Sequence, residues 1–111
     1  MFVFDHVGIT TTVPQPDENW VEQSKVWVTN PRHHPEHIEF LRYEPGTTVP
    51  EMVRANPHIA YRVAALAPHI AGQEILIPPF VVGDFLEVVF VRKYCTVFEY
   101  MHYLKEGWFG N

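Results

Sequence analysis

The stretches FDHVGITT (4–11) and NPHIAYRV (56–63) decide how this chain reads. Each places a histidine near the start of a strand-like segment, and each is answered downstream by a second segment. The answering segments are HIEFLRY (37–43) and TVFEYMHY (96–103), each with one glutamate inside an otherwise apolar or aromatic run. His6, Glu39, His58 and Glu99 therefore form a His–Glu half written twice. An unpaired carboxylate in such a strand is costly to bury. Two imidazoles and two carboxylates brought together make a ready octahedral site for a divalent ion. A lone histidine on a strand is more often a packed residue than a ligand, so the weight lies in the fourfold coincidence.

Alternation supports the pairing. On the last strand Glu99 shares a face with Val97, Met101 and Tyr103, and Glu39 shares one with His37, Leu41 and Tyr43. His6 goes with Gly8 and Thr10, and His58 with Ala60 and Arg62. The opposite faces carry the large apolar residues, as a sheet wrapped around a ligand cleft requires.

Working outward, 2–10 reads as a strand and the proline-rich 13–19 as a break where helix is disfavoured. KVWVT (25–29) is a second strand, with 20–23 as a short extension before it. A turn follows at 30–35 and a strand at 36–44, ended by Pro45–Gly46. The connector 47–57 has room for one helical turn. Then come a strand at 58–64, a short helix at 66–71 and a strand at 74–82 whose Pro78–Pro79 places it at an edge. The hairpin 85–92/96–104 completes the second half, and the aromatic tail GWFGN is expected to dock. The fold class is α+β: two related halves curling their sheets into a half-barrel around one cleft. The domain expectation is a single unit over 1–111, with module one at about 1–46, the connector, module two at about 58–104 and the tail at 105–111.

The 111 residues are 47% apolar and 14% aromatic, enough for one core. The net charge of −5 argues against binding nucleic acid. No apolar run is long enough to span a membrane, and the N-terminus lacks the layout of a signal peptide. The lone Cys95 fits a reducing cytosol, so a cytoplasmic setting is expected. His33, His34, His69 and His102 read as surface or packing residues, the His33–His34 pair being a weak second metal candidate.

FDHVGITT (4–11), HIEFLRYEPG (37–46), NPHIAYRVAAL (56–66) and TVFEYMHY (96–103) together resemble the vicinal oxygen chelate superfamily. That group includes glyoxalase I, extradiol dioxygenases, methylmalonyl-CoA epimerase and the bleomycin resistance proteins. The resemblance covers nearly the whole chain and implies paired βαβββ modules, with His6 and His58 as first-strand ligands and Glu39 and Glu99 as last-strand ligands. It also implies a homodimer. The chain departs from the family at 13–19, where the first-module helix is missing. The outer face of Val7, Ile9, Ile38 and Phe40 then needs a cover, for which Trp20, the tail or a partner subunit are the candidates.

These readings lead to a metal-dependent lyase or isomerase of the glyoxalase-like type. A divalent ion (nickel, zinc, cobalt, manganese or iron) would chelate two vicinal oxygens of a small substrate and stabilise an enolate or enediolate. Glu99 or Glu39 would act as general base. Arg62, Tyr43 and Tyr103 are candidates for substrate contact, against a salt bridge for Arg62 and a wall role for the tyrosines. Dioxygenase chemistry fits less well, because a fourth ligand fills a position that oxygen needs. A small-molecule binding or resistance protein is the alternative, and a bare interaction module a third. No set of arginines suited to glutathione stands out.

Overall fold

The computed structural model describes residues 2–110, so the last residue of the tail lies outside it. Eight strands form one sheet: β1 (Phe2–Thr10), β2 (Asn19–Val21), β3 (Val26–Val28), β4 (Ile38–Tyr43), β5 (His58–Val63), β6 (Glu74–Val82), β7 (Leu86–Lys93) and β8 (Thr96–Tyr103). Their order is β2-β3-β4-β1-β5-β8-β7-β6. Within the first module β1 pairs parallel with β4, and β4–β3–β2 run antiparallel. The second module repeats this with β5 parallel to β8, then β7 and β6. The modules join where β1 and β5 pair antiparallel. The result is the α+β half-barrel of two related modules, each with its His strand at the centre of the sheet.

Two short helices complete the architecture: α1 (Glu51–Ala55) between the modules and α2 (Ala67–Ile70) after β5. The first module has no helix between β1 and β2. The short extension expected at 20–23 is present as the three-residue β2, one residue earlier.

Alternation sorts the side chains into two layers. Val21, Val26, Val28, Leu41, Leu86, Val88, Phe90 and Met101 face the concave side, joined by Val53 of α1. On the convex side of the second module, Val63, Val89, Val91, Phe98 and Tyr100 pack beneath Leu66 and Ile70 at α2. β7 is therefore apolar on both faces, which is why its sequence shows a near-continuous hydrophobic run rather than clean alternation.

The convex side of the first module lacks such a helix, and its cover differs from the candidates read in the sequence. The tail turns to the concave side, where Trp108 is 4% exposed and meets Phe85. Trp20 leans on its cross-strand partner Trp27, at 4.9 Å between ring centroids. Val7, Ile9, Ile38 and Phe40 stay half-buried, with His34 edge-on to Phe40 at 5.8 Å. Loop residues around Pro16 and Asn30 line a groove over Ile38 and Phe40. Loops and a short 3-10 turn (Pro31–His33) replace the helix. No helix among the described residues is long and apolar enough to cross a membrane.

Candidate metal centre

Strand register brings the two His–Glu halves together. Gly8 pairs with Glu39 across β1–β4, and Ala60 pairs with Glu99 across β5–β8. At the junction of the modules His6 sits opposite Ala60, and His58 opposite Gly8. Each histidine thus lies two residues before a small residue whose neighbour is a glutamate, and a pseudo-twofold relates the halves. Gly8 is required by the crossing: a Cβ there would overlap Cε1 and Nε2 of the His58 ring. Gly8 takes no left-handed backbone conformation, so its role is to leave space.

His6, Glu39, His58 and Glu99 are all buried, at 0%, 6%, 2% and 7% exposure. One ligand atom from each lies within 4.8 Å of all the others. His6 Nε2 is 3.3 Å from Glu39 Oε1 and 3.3 Å from Glu99 Oε1. His58 Nε2 is 3.2 Å from Glu99 Oε1 and 3.6 Å from Glu39 Oε1. Despite these separations, His6 Nε2, His58 Nε2 and Glu99 Oε1 have no hydrogen-bond partner. The atoms converge on a common point without the alignment a hydrogen bond needs. Bonds of about 2.1 Å to one ion place neighbouring ligand atoms about 3.0 Å apart in an octahedron and about 3.4 Å in a tetrahedron. The observed spacing suits such a cage, and buried polar atoms left without partners in this way could hold an ion.

Asp5 supports the site from behind, and the sequence reading missed it. Strict alternation would put Asp5 and His6 on opposite faces, but the β1–β5 register shifts between Phe4 and His6. That bulge puts both on one side, where His6 Nδ1 meets Asp5 Oδ2 at 2.7 Å. A carboxylate on Nδ1 turns Nε2 toward Glu39 and Glu99 and raises its basicity. Arg32 holds Asp5 in turn, with Nη2 at 3.3 Å from Asp5 Oδ1. The 3-10 turn that carries Arg32 is fixed by Asn30, whose side chain accepts from Arg32 N. We expect Asp5→Asn to lower divalent-metal affinity by roughly 10–100-fold, measured by competition with a chelator. An unchanged affinity would show that Asp5 does not orient His6.

The substrate candidates separate in space. Tyr43 lines the concave cavity with Glu39 and Glu99. Burial, then the charges of Glu39 and Glu99, raise its pKa, so the hydroxyl keeps its proton. Tyr103 lies outside that cavity and receives a hydrogen bond from Arg32 Nη2 at 2.6 Å. The Arg62 guanidinium lies 4.3 Å over the Tyr103 ring, and its buried Nε has no partner. The salt bridge weighed for Arg62 does not form among the described residues. Parity placed Arg62 and Tyr103 on the ligand face, but it says nothing of position along the strand.

The four charges of the quartet shift one another. Burial alone would lower the His6 pKa, yet the Glu39 charge and the Asp5 contact hold it well above the usual histidine value. Burial acts the same way on His58, where Glu39 and Glu99 outweigh it and raise the pKa. Burial would raise both carboxylates, but the histidines lower Glu99 and bring Glu39 to about 2.

The fold and the site together define a class: a two-module half-barrel with a buried His2Glu2 cluster where the modules meet. Solved structures share that fold. A hypothetical protein of Bacillus halodurans, BH1468, superposes with a TM-score of 0.64 at 13% identity, over 96% of this chain and 98% of that one. A triple mutant of 4-hydroxymandelate synthase from Streptomyces coelicolor gives 0.56 at 14% identity over 97% of this chain. This chain spans 50% of that enzyme's length. At such identities the likeness is one of fold. No protein-family model matches the sequence, and no curated protein is similar to it.

Proposed function

We propose that this chain is a metal-dependent enzyme of the vicinal oxygen chelate superfamily, a lyase or isomerase of the glyoxalase-like type acting on a small substrate with two adjacent oxygens. The observation that carries this reading is the convergence of four buried ligand atoms within 4.8 Å, with His6 Nε2, His58 Nε2 and Glu99 Oε1 unpartnered. His6, Glu39, His58 and Glu99 would hold one divalent ion, which when bound supplies Lewis-acid stabilisation of charge on the substrate oxygens.

The remaining chemistry belongs to the chain. Glu39 and Glu99 come from opposite modules and both line the cavity, so either carboxylate can reach a substrate carbon held there. One can take a proton as general base while the other returns it. Tyr43, kept protonated beside them, donates a hydrogen bond to a substrate oxygen. The apolar wall excludes water and so strengthens each of these interactions. Arg62 and Tyr103 act at one remove in this reading, bracing Arg32 and through it Asp5. A homodimer and a cytosolic setting belong to the same proposal, the first measurable by light scattering.

The test is metal content in protein purified without chelators, alongside His6→Ala and Glu99→Gln. We expect about one divalent ion per chain in the wild type and loss in both variants. A wild type that takes up no ion even after reconstitution overturns the catalytic reading and leaves a small-molecule binding protein.

A further inference from the structure

Resting on that reading of the site, the walls around it indicate what kind of substrate it takes. The cavity beside the quartet, about 50 Å3, is lined by aliphatic and aromatic side chains, and its only charged residues are Glu39 and Glu99. A second, open groove of about 400 Å3 adjoins it and carries no charged residue. The two spaces share Ser24, Val49, Ile77 and Phe80 as a common wall.

The position of that wall follows from the sequence. Pro78 and Pro79 have no N–H to donate to a ladder, and the β6–β7 register shifts on either side of Ile77. β6 is an edge strand, so its irregular stretch forms part of the wall that inner cavity and outer groove share. Ile77 and Phe80 are only partly buried there. Trp108, which also lines the cavity, is 4% exposed, and its Nε1 has no hydrogen-bond partner.

We infer that the substrate is an uncharged, largely apolar molecule whose vicinal-oxygen head sits at the quartet and whose body passes Ile77 and Phe80 into the outer groove. Trp108 Nε1 gives a neutral acceptor on that molecule its partner. Adducts of charged thiols such as glutathione or acyl-CoA fit this groove poorly, because its lining offers their carboxylates or phosphates no cation and Arg54 behind it is turned to Val49 O.

The test uses alkyl hydroxamates, whose two adjacent oxygens chelate a metal, titrated into cobalt(II)-loaded protein and followed by the metal's visible absorption. Each methylene that leaves water should tighten binding about fourfold, so hexanohydroxamate should bind roughly 200-fold more tightly than acetohydroxamate if all four extra methylenes are buried. A hexanohydroxamate analogue ending in carboxylate should gain nothing over acetohydroxamate. Ile77→Glu should bring the hexano-to-aceto ratio close to one, and Phe80→Ala should lower it if the first variant does not fold. Equal affinities for the two neutral probes, or tight binding of the carboxylate-ended one, would overturn the inference while leaving the metal site intact. Failure of every hydroxamate to bind loaded protein would mean that the ion has no exchangeable positions, which overturns the chelation reading and the inference with it.

Discussion

Gly8→Ala is expected to cost this protein most of its metal affinity although residue 8 offers no ligand. The added methyl would occupy space now filled by Cε1 and Nε2 of His58, and β1 cannot retreat because it is paired on both sides, to β4 and to β5. The imidazole must rotate away, which takes Nε2 out of the four-atom group. A loss of affinity on the order of 100-fold follows, by analogy with other disturbances of a ligand's orientation. Forcing one carbon into a packed site costs about 1–3 kcal/mol of stability as well. The two effects separate in a double-mutant cycle. With His58→Ala in place the obstruction is gone, so Gly8→Ala should then be nearly neutral in urea unfolding. Wild-type metal affinity in the single variant would mean that His58 does not lie over Gly8.

That dependence could not be read along the chain. The sequence shows Gly8 two residues after His6, and parity puts both on one face. It does not show that β5 runs antiparallel beside β1 in the register that sets Gly8 opposite His58. The pairing of Ala60 with His6 is hidden for the same reason. What alternation does carry is the face: Glu39 with Leu41, Glu99 with Val97 and Met101, and His58 with Ala60 all point to the concave side. The repeated His–Glu pattern carried the two-module architecture as well, because similar local patterns pack in similar ways. Asp5 escaped because a bulge breaks the alternation at that residue, and a bulge is a property of two paired strands. The tail escaped for a related reason: an aromatic run says that it must be buried, not which side of the sheet will bury it.

The second large effect expected is a metal-dependent rise in melting temperature that disappears on acidification. In the metal-free chain His6 and His58 hold protons to higher pH than free imidazole. Their contribution to stability is complete below the ordinary histidine value of about 6.5 and is lost as pH rises through the folded values. Glu39, held near 2, and Glu99, also lowered, contribute above the ordinary carboxylate range and lose that contribution only as pH falls through their folded values. From this site alone the metal-free protein is therefore most stable between about pH 4.5 and 6.5. An ion needs the Nε2 lone pairs that those protons occupy, so binding releases protons and tightens as pH rises. At pH 8, with the ion at about 100 times its dissociation constant, stability should rise by about 2.7 kcal/mol, or roughly 10–20 °C for a chain of this size. At pH 5 the shift should nearly vanish, and Glu99→Gln should show little at either pH. A shift that survives in Glu99→Gln would place the ion elsewhere, with the His33–His34 turn the first position to examine, and a shift independent of pH would mean that no histidine holds the ion. The combination of a strong shift at pH 8, none at pH 5 and none in the variant has a narrow cause. It requires an ion and protons competing for the same buried nitrogens, with the carboxylates between them.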